Sequence, residues 1–129
     1  MVKKEVKVLT PSEYRKLSEP EWKQGPSGQY YLISGMKPVH VGMLINVLGI
    51  SGEAVKIDRG KVLDKLDEVR DTLIPQCIVE PKIRVEVSDP ETELSTSDLL
   101  TADVIFLIDN IIAKTGLAVP EERERRSFR

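Results

Sequence analysis

The sequence predicts an α+β fold that is mainly α: a small helical domain carrying a short N-terminal β-hairpin or small sheet. Three observations carry that expectation. Residues 101–116, TADVIFLIDNIIAKTG, place Val104, Ile105, Ile108, Ile111 and Ile112 at i, i+1, i+4, i+7 and i+8, the one-sided stripe of a helix with a repeat of about 3.6 residues. In KVLDKLDEVRDTLI, residues 61–74, the apolar positions Val62, Leu63, Leu66, Val69, Leu73 and Ile74 share one face, and Lys, Asp, Glu and Arg fill the other. Tyr30 to Ile33 is β-rich, Ser34-Gly35 breaks it, and residues 38–41 are placed to return as the second strand of a hairpin.

Before these elements, residues 2–9 set Val2, Val6 and Val8 opposite Lys3 and Lys7, which suits a short edge strand whose lysines discourage stray pairing. Thr10-Pro11-Ser12-Glu13 then reads as a helix start, with a hydroxyl at the N-cap, proline at the first helical position and a glutamate three residues after the cap. Pro20 limits that helix to about two turns, with Tyr14 and Leu17 as its anchors. Residues 21–28, EWKQGPSG, read as a loop that Trp22 pins onto the core. Residues 42–49 read as one or two helical turns closed by Gly49, and 50–60 as a linker.

Pro75 removes a backbone donor and crowds the carbonyl of Asp71, which predicts a kink or break followed by a second turn through Ile78 and Val79. Ile83, Val85 and Val87 alternate with charged residues as in a half-buried strand. SDPETELSTS reads as a surface loop in which Ser95, Thr96, Ser97 and Asp98 offer caps for the last helix. In that helix Phe106 and Leu107 widen the apolar stripe until little of the circumference is polar, so it needs cover on more than one side, and Gly116 ends it.

At 129 residues, one domain with its own core is expected, spanning 1–116, with 117–129 as a charged, flexible C-terminal tail. Aromatic residues are only 5%, so the core must be aliphatic. A net charge of -2 supplies no global field for nucleic acid or an anionic membrane, and no basic recognition helix is visible. Neither a signal-peptide core nor the roughly 18 apolar residues of a membrane span occurs. One cysteine, Cys77, cannot form an internal disulfide, and with one histidine, His40, a zinc site is excluded. Cys77 sits in an apolar IPQCIV context that favours an inert core thiol, and His40 reads as a strand-end residue with an ordinary hydrogen bond. Asp89, Glu91 and Glu93 alternate like the start of a calcium loop, but Leu94 and Leu100 stand where glycine and a bidentate glutamate are required. Neither phosphate-binding glycine motif is present. No catalytic residues, metal or cofactor are therefore expected, and what remains is surface for protein contacts.

From about residue 61 onward the order of features resembles the tail assembly chaperones of long-tailed bacteriophages. An amphipathic helix runs into a VEPK/R-like segment, here Ile78-Val79-Glu80-Pro81-Lys82-Ile83. An acidic spacer, SDPETE, leads to an L-x-x-x-D-L run from Leu94 to Leu99, then to an aliphatic helix with Asp103 and Phe106 at matching places and a closing glycine. The resemblance implies a non-enzymatic protein of the host cytoplasm that binds the tape measure protein, and the tail tube protein, during tail assembly; a homo-oligomer is compatible with it. The competing expectation is a minor structural protein retained in the tail or head–tail connector. For a partner helix, the expected groove residues are Leu63, Leu66, Ile78, Val79, Ile105, Phe106 and Ile112, with Arg123, Arg125 and Arg126 steering the encounter.

Overall fold

The computed structural model describes residues 8–49 and 59–116. Among these the order is α1 (Pro11–Ser18), β1 (Glu21–Gln24), β2 (Tyr30–Ile33), α2 (Pro38–Leu48), α3 (Arg59–Asp64), α4 (Leu66–Cys77), β3 (Ile78–Glu80), β4 (Lys82–Arg84), β5 (Glu93–Ser95), a 3-10 turn (Thr96–Asp98) and α5 (Thr101–Thr115). The fold is α+β and mainly helical, as the apolar periodicities predict. Among the described residues no helix is long and apolar enough to cross a membrane.

Helix α4 is where most elements meet, and α5 lays the longest run of buried side chains against it. Val104, Leu107, Ile108, Ile111 and Ile112 are buried, and they meet Val69, Leu73, Ile74 and Cys77 of α4 and Tyr31 and Ile33 of β2 in one core. Each fully buried aliphatic side chain contributes about 1.5–3 kcal/mol, so this seam outweighs the exposed ion pairs, worth at most about 1 kcal/mol each. Gly116 ends α5 in the left-handed region, at φ +89°, with its N–H on the Ala113 and Ile112 carbonyls.

The main sheet is antiparallel, in the order β1-β2-β3. Leu32 pairs with Glu80 and Ile33 with Ile78, so Val79 is an extra residue in a β-bulge. A second, parallel pair joins β4 to β5, with Ile83 opposite Leu94. Helices cover one face of the main sheet through Tyr31, Ile33 and Ile78.

Several local expectations hold. Thr10 and Glu13 form the capping box, with Glu13 N–H donating to Thr10 Oγ1 at 3.1 Å and Thr10 N–H donating to Glu13 Oε1 at 3.0 Å. Gly49 closes α2 at φ +68°. Others are corrected by tertiary contacts. Most of the expected strand at 2–9 lies outside the described residues, as do residues 50–58 and the whole 117–129 tail; Val8 and Leu9 are not in a strand. Tyr14 and Leu17 are exposed rather than anchoring, and α1 buries no side chain.

The stretch expected to be a loop at 21–28 contains β1, and this strand, not residues 38–41, is the hairpin partner of β2. Pro38 instead occupies the first turn of α2, where its missing N–H costs nothing and its fixed φ suits a helix. His40 is therefore helical, its Nδ1 accepting from Lys37 N–H at 3.3 Å. The amphipathic helix expected over 61–74 is interrupted at Lys65, between α3 and α4, although Lys65 N–H still reaches Lys61 O at 3.1 Å. Pro75 lies within α4, and the following residues turn extended instead of helical because β2 captures them: Ser34 N–H donates to Cys77 O at 2.8 Å and Ile78 pairs with Ile33.

The strand expected over 83–87 stops at Arg84, leaving Val85 half-exposed. The acidic loop contains β5, and Ser95 with Asp98 caps the 3-10 turn rather than α5, whose N-cap is Leu100.

Candidate protein-binding surface

The outer face of the main sheet follows from strand alternation. Because Tyr31 and Ile33 point into the core, Trp22, Tyr30 and Leu32 must point away from it. Register places Trp22 opposite Leu32 and diagonal to Tyr30, within reach for two aromatic side chains. Trp22 is 55% exposed, Tyr30 57% and Val79 48%. Together with Pro81, Lys82 and Thr92 they line a hollow of about 710 Å³. Trp22 does not pin a loop onto the core; it stands on an edge strand with its ring largely in solvent. Val79 also borders a second hollow of about 440 Å³, beside Pro75, Ile83 and Val85. The bulge explains why: the extra residue turns its side chain out between the two depressions.

A buried carboxylate holds this face in place. Asp103, in the first turn of α5, accepts from Ser27 N–H at 2.9 Å, from the Ser27 hydroxyl, and from the Tyr31 hydroxyl at 2.6 Å. Ser27 lies in the turn between β1 and β2, so the hairpin carrying Trp22 and Tyr30 is tied to the start of the core helix. Gly25 is required beside it, because a Cβ there would lie 2.9 Å from the Tyr31 ring and 3.3 Å from the Asp103 carboxyl. Burial pushes the Asp103 pKa upward, but the Ser27 and Tyr31 hydrogen bonds outweigh it, and the group ends below its ordinary value. Burial, then the adjacent carboxylate, raises the Tyr31 phenol well above its ordinary value.

Glu93 plays a similar part at the other end. It accepts from the backbone of Ser88 at 3.0 Å and Asp89 at 3.2 Å and pairs with Arg84 at 2.9 Å. Those backbone bonds hold its pKa low, and its oxygens are occupied in folding the acidic loop back on β4. Cys77 is buried, and burial pushes its thiol up to about 11, so little thiolate forms near neutral pH.

The expected partner-binding residues fall in different places. Ile112 is a core residue buried against α4 and β2, and Ile78, also buried, reaches only the floor of the smaller hollow. Leu63, Leu66 and Ile105 do converge, beside the Arg59–Asp109 ion pair at 3.2 Å. The gap between them is about 10 Å³, room for about one water and not for a side chain. Phe106 is half-buried against the core. Val79 alone lies on the open hollow, and Arg123, Arg125 and Arg126 fall outside the described residues. Trp22, Tyr30, Pro81 and Lys82 complete the surface. The only sequence signal for one of them is the alternation of Trp22 with the charged Glu21 and Lys23.

In comparisons with known proteins, no protein-family model, no curated protein and no solved structure matches the chain.

Proposed function

We propose that this chain is a non-enzymatic phage tail assembly chaperone that binds the tape measure protein, and the tail tube protein, while the tail is built in the host cytoplasm. The observation that carries the reading is a sheet face that no other described residue covers: Trp22, Tyr30 and Val79 stand about half-exposed around one hollow. Rigid aromatic anchors in a shallow apolar depression suit a partner that presents side chains in a row, as an amphipathic helix does at i, i+3, i+4 and i+7. A long helical partner exposes such stripes before assembly, and covering them keeps it from self-association. The resemblance of residues 61–116 to tail assembly chaperones supplies the identity of that partner, and the sheet face replaces the α5 groove as its seat.

Co-expression of the full chain with the tape measure gene of the same phage, followed by affinity capture, tests this. Capture should fall at least tenfold with Tyr30→Ala plus Val79→Asp, both at exposed positions, while circular dichroism stays unchanged. Undiminished capture by that folded variant would remove the sheet face from the proposal. Mass spectrometry of purified virions separates a chaperone, absent from the particle, from a retained minor structural protein at fixed copy number.

A further inference from the structure

We infer that β1 is a self-association edge, through which two copies of this chain pair antiparallel about a two-fold axis at Trp22 and extend the main sheet across both. The inference does not depend on the identity of any other partner.

Among the described residues β1 is hydrogen-bonded on one side only. Gly25 N–H donates to Gln29 O at 2.8 Å, so alternation back along the register turns the backbone of Lys23 and Glu21 toward β2 and that of Trp22 and Gln24 toward the open side. All four residues are exposed. An open edge of this kind is a template for another strand, and a charged side chain on its core-facing side restricts which strand is accepted.

The restriction here is specific. Glu21 and Lys23 share the inner face, opposite the buried Ile33 and Tyr31. A strand docking beside Lys23 is therefore favoured by an acid at that position, and one beside Glu21 by a base that reaches its Oε2. The chain's own β1 meets both conditions. Antiparallel pairing with Trp22 against its mate sets each Glu21 opposite the second copy's Lys23. Centring the axis on Lys23 instead would oppose two lysines, which is unfavourable.

The Glu21 side chain is ready for this. Its Oε1 is held by Lys114 at 2.7 Å, and its Oε2 is only loosely engaged with Lys23 of the same chain, at 3.7 Å. In the same register Trp22 exchanges backbone bonds with its mate, and Gln24 N–H meets the carbonyl of Pro20, whose missing N–H leaves the Gln24 carbonyl to solvent at the end of the pairing. On the outer face the two half-exposed indoles stack, and the two hollows become one continuous trough.

Sedimentation of the full chain over a concentration series tests the pairing, with fluorescence as a second readout because Trp22 is the sole tryptophan. Wild type should dimerise, its emission shifting to the blue as Trp22 loses solvent. Glu21→Lys and Lys23→Glu should each weaken the dimer about tenfold or more, since each places like charges opposite one another twice. An equimolar mixture of the two variants should associate about as well as wild type, because a strand with two lysines then faces one with two glutamates. A monomer at every concentration, variants that dimerise undiminished, or a mixture no tighter than its components would each overturn the proposal.

Discussion

Asp103 concentrates the consequences of single residues. Asp103 is 1% exposed, and its carboxylate accepts from Ser27 and Tyr31 in the first turn of α5, where a negative charge is favoured by the helix dipole. Asp103→Ala should lower stability by about 3 kcal/mol, because it leaves the Tyr31 hydroxyl and the Ser27 N–H unpaired. Tyr31→Phe should cost about 1–2 kcal/mol, and the double variant less than the sum, as urea titrations of the four proteins will measure. The pH dependence has a definite sign. The folded pKa lies below the ordinary 3.8, so the carboxylate's contribution is complete above that value and is lost as pH falls through the folded pKa. Asp103→Asn should therefore flatten the acid limb of a stability-against-pH curve, and an unchanged limb would contradict the lock. Asp103 is legible in the sequence as a matching position in the last helix. Its partners are not, since Ser27 and Tyr31 lie 76 and 72 residues away.

Among the elements, those governed by local chemistry match the sequence and those governed by partners do not. The α1 start is set within four residues by the Thr10 and Glu13 capping box. Because α1 buries no side chain, Thr10→Ala should destabilise that helix by about 1 kcal/mol. The effect should appear as faster amide exchange in α1 with the global urea midpoint unmoved. At the far end Gly116 has φ +89°, so Gly116→Ala should cost about 1 kcal/mol of global stability, visible as a lowered urea midpoint. β1 and β3 are different. EWKQ has no strand propensity beyond Trp22, and Ile78-Val79 continues an apolar helical run. Each becomes a strand because β2 offers it an unpaired edge, a condition that no window of local sequence contains.

At the scale of the whole molecule, apolar surface is allotted by packing rather than by its amount. Most of the broad stripe of α5 is consumed by α4 and β2, and the exposed apolar residues that cluster around hollows lie on the sheet face, while others such as Tyr14, Leu17 and Val39 are scattered over the helices. This distinction is measurable. Ile112→Asp places a charge at a position 1% exposed and should cost about 3–5 kcal/mol or unfold the chain, lowering partner capture only through loss of fold. Val79→Asp, on the exposed bulge, should change stability by less than about 1 kcal/mol while removing capture. Equal effects of the two on the urea midpoint would refute the assignment of inside and outside.

By itself the sequence determined the α+β, mainly helical class, the capped start of α1, the glycine ends of α2 and α5, and the identity of α5 as the core helix. Each of these depends on residues within one or two turns, where apolar spacing, caps and φ restrictions act directly. Only the tertiary structure decided that residues 21–24 form the strand beside β2, that α4 passes through Pro75 and gives way to β3, and that Trp22, Tyr30 and Val79 rather than Ile112 face outward. Those outcomes depend on edges and hydrogen-bond partners many tens of residues apart, and burial is a property of the assembled fold, not of a side chain's own hydrophobicity.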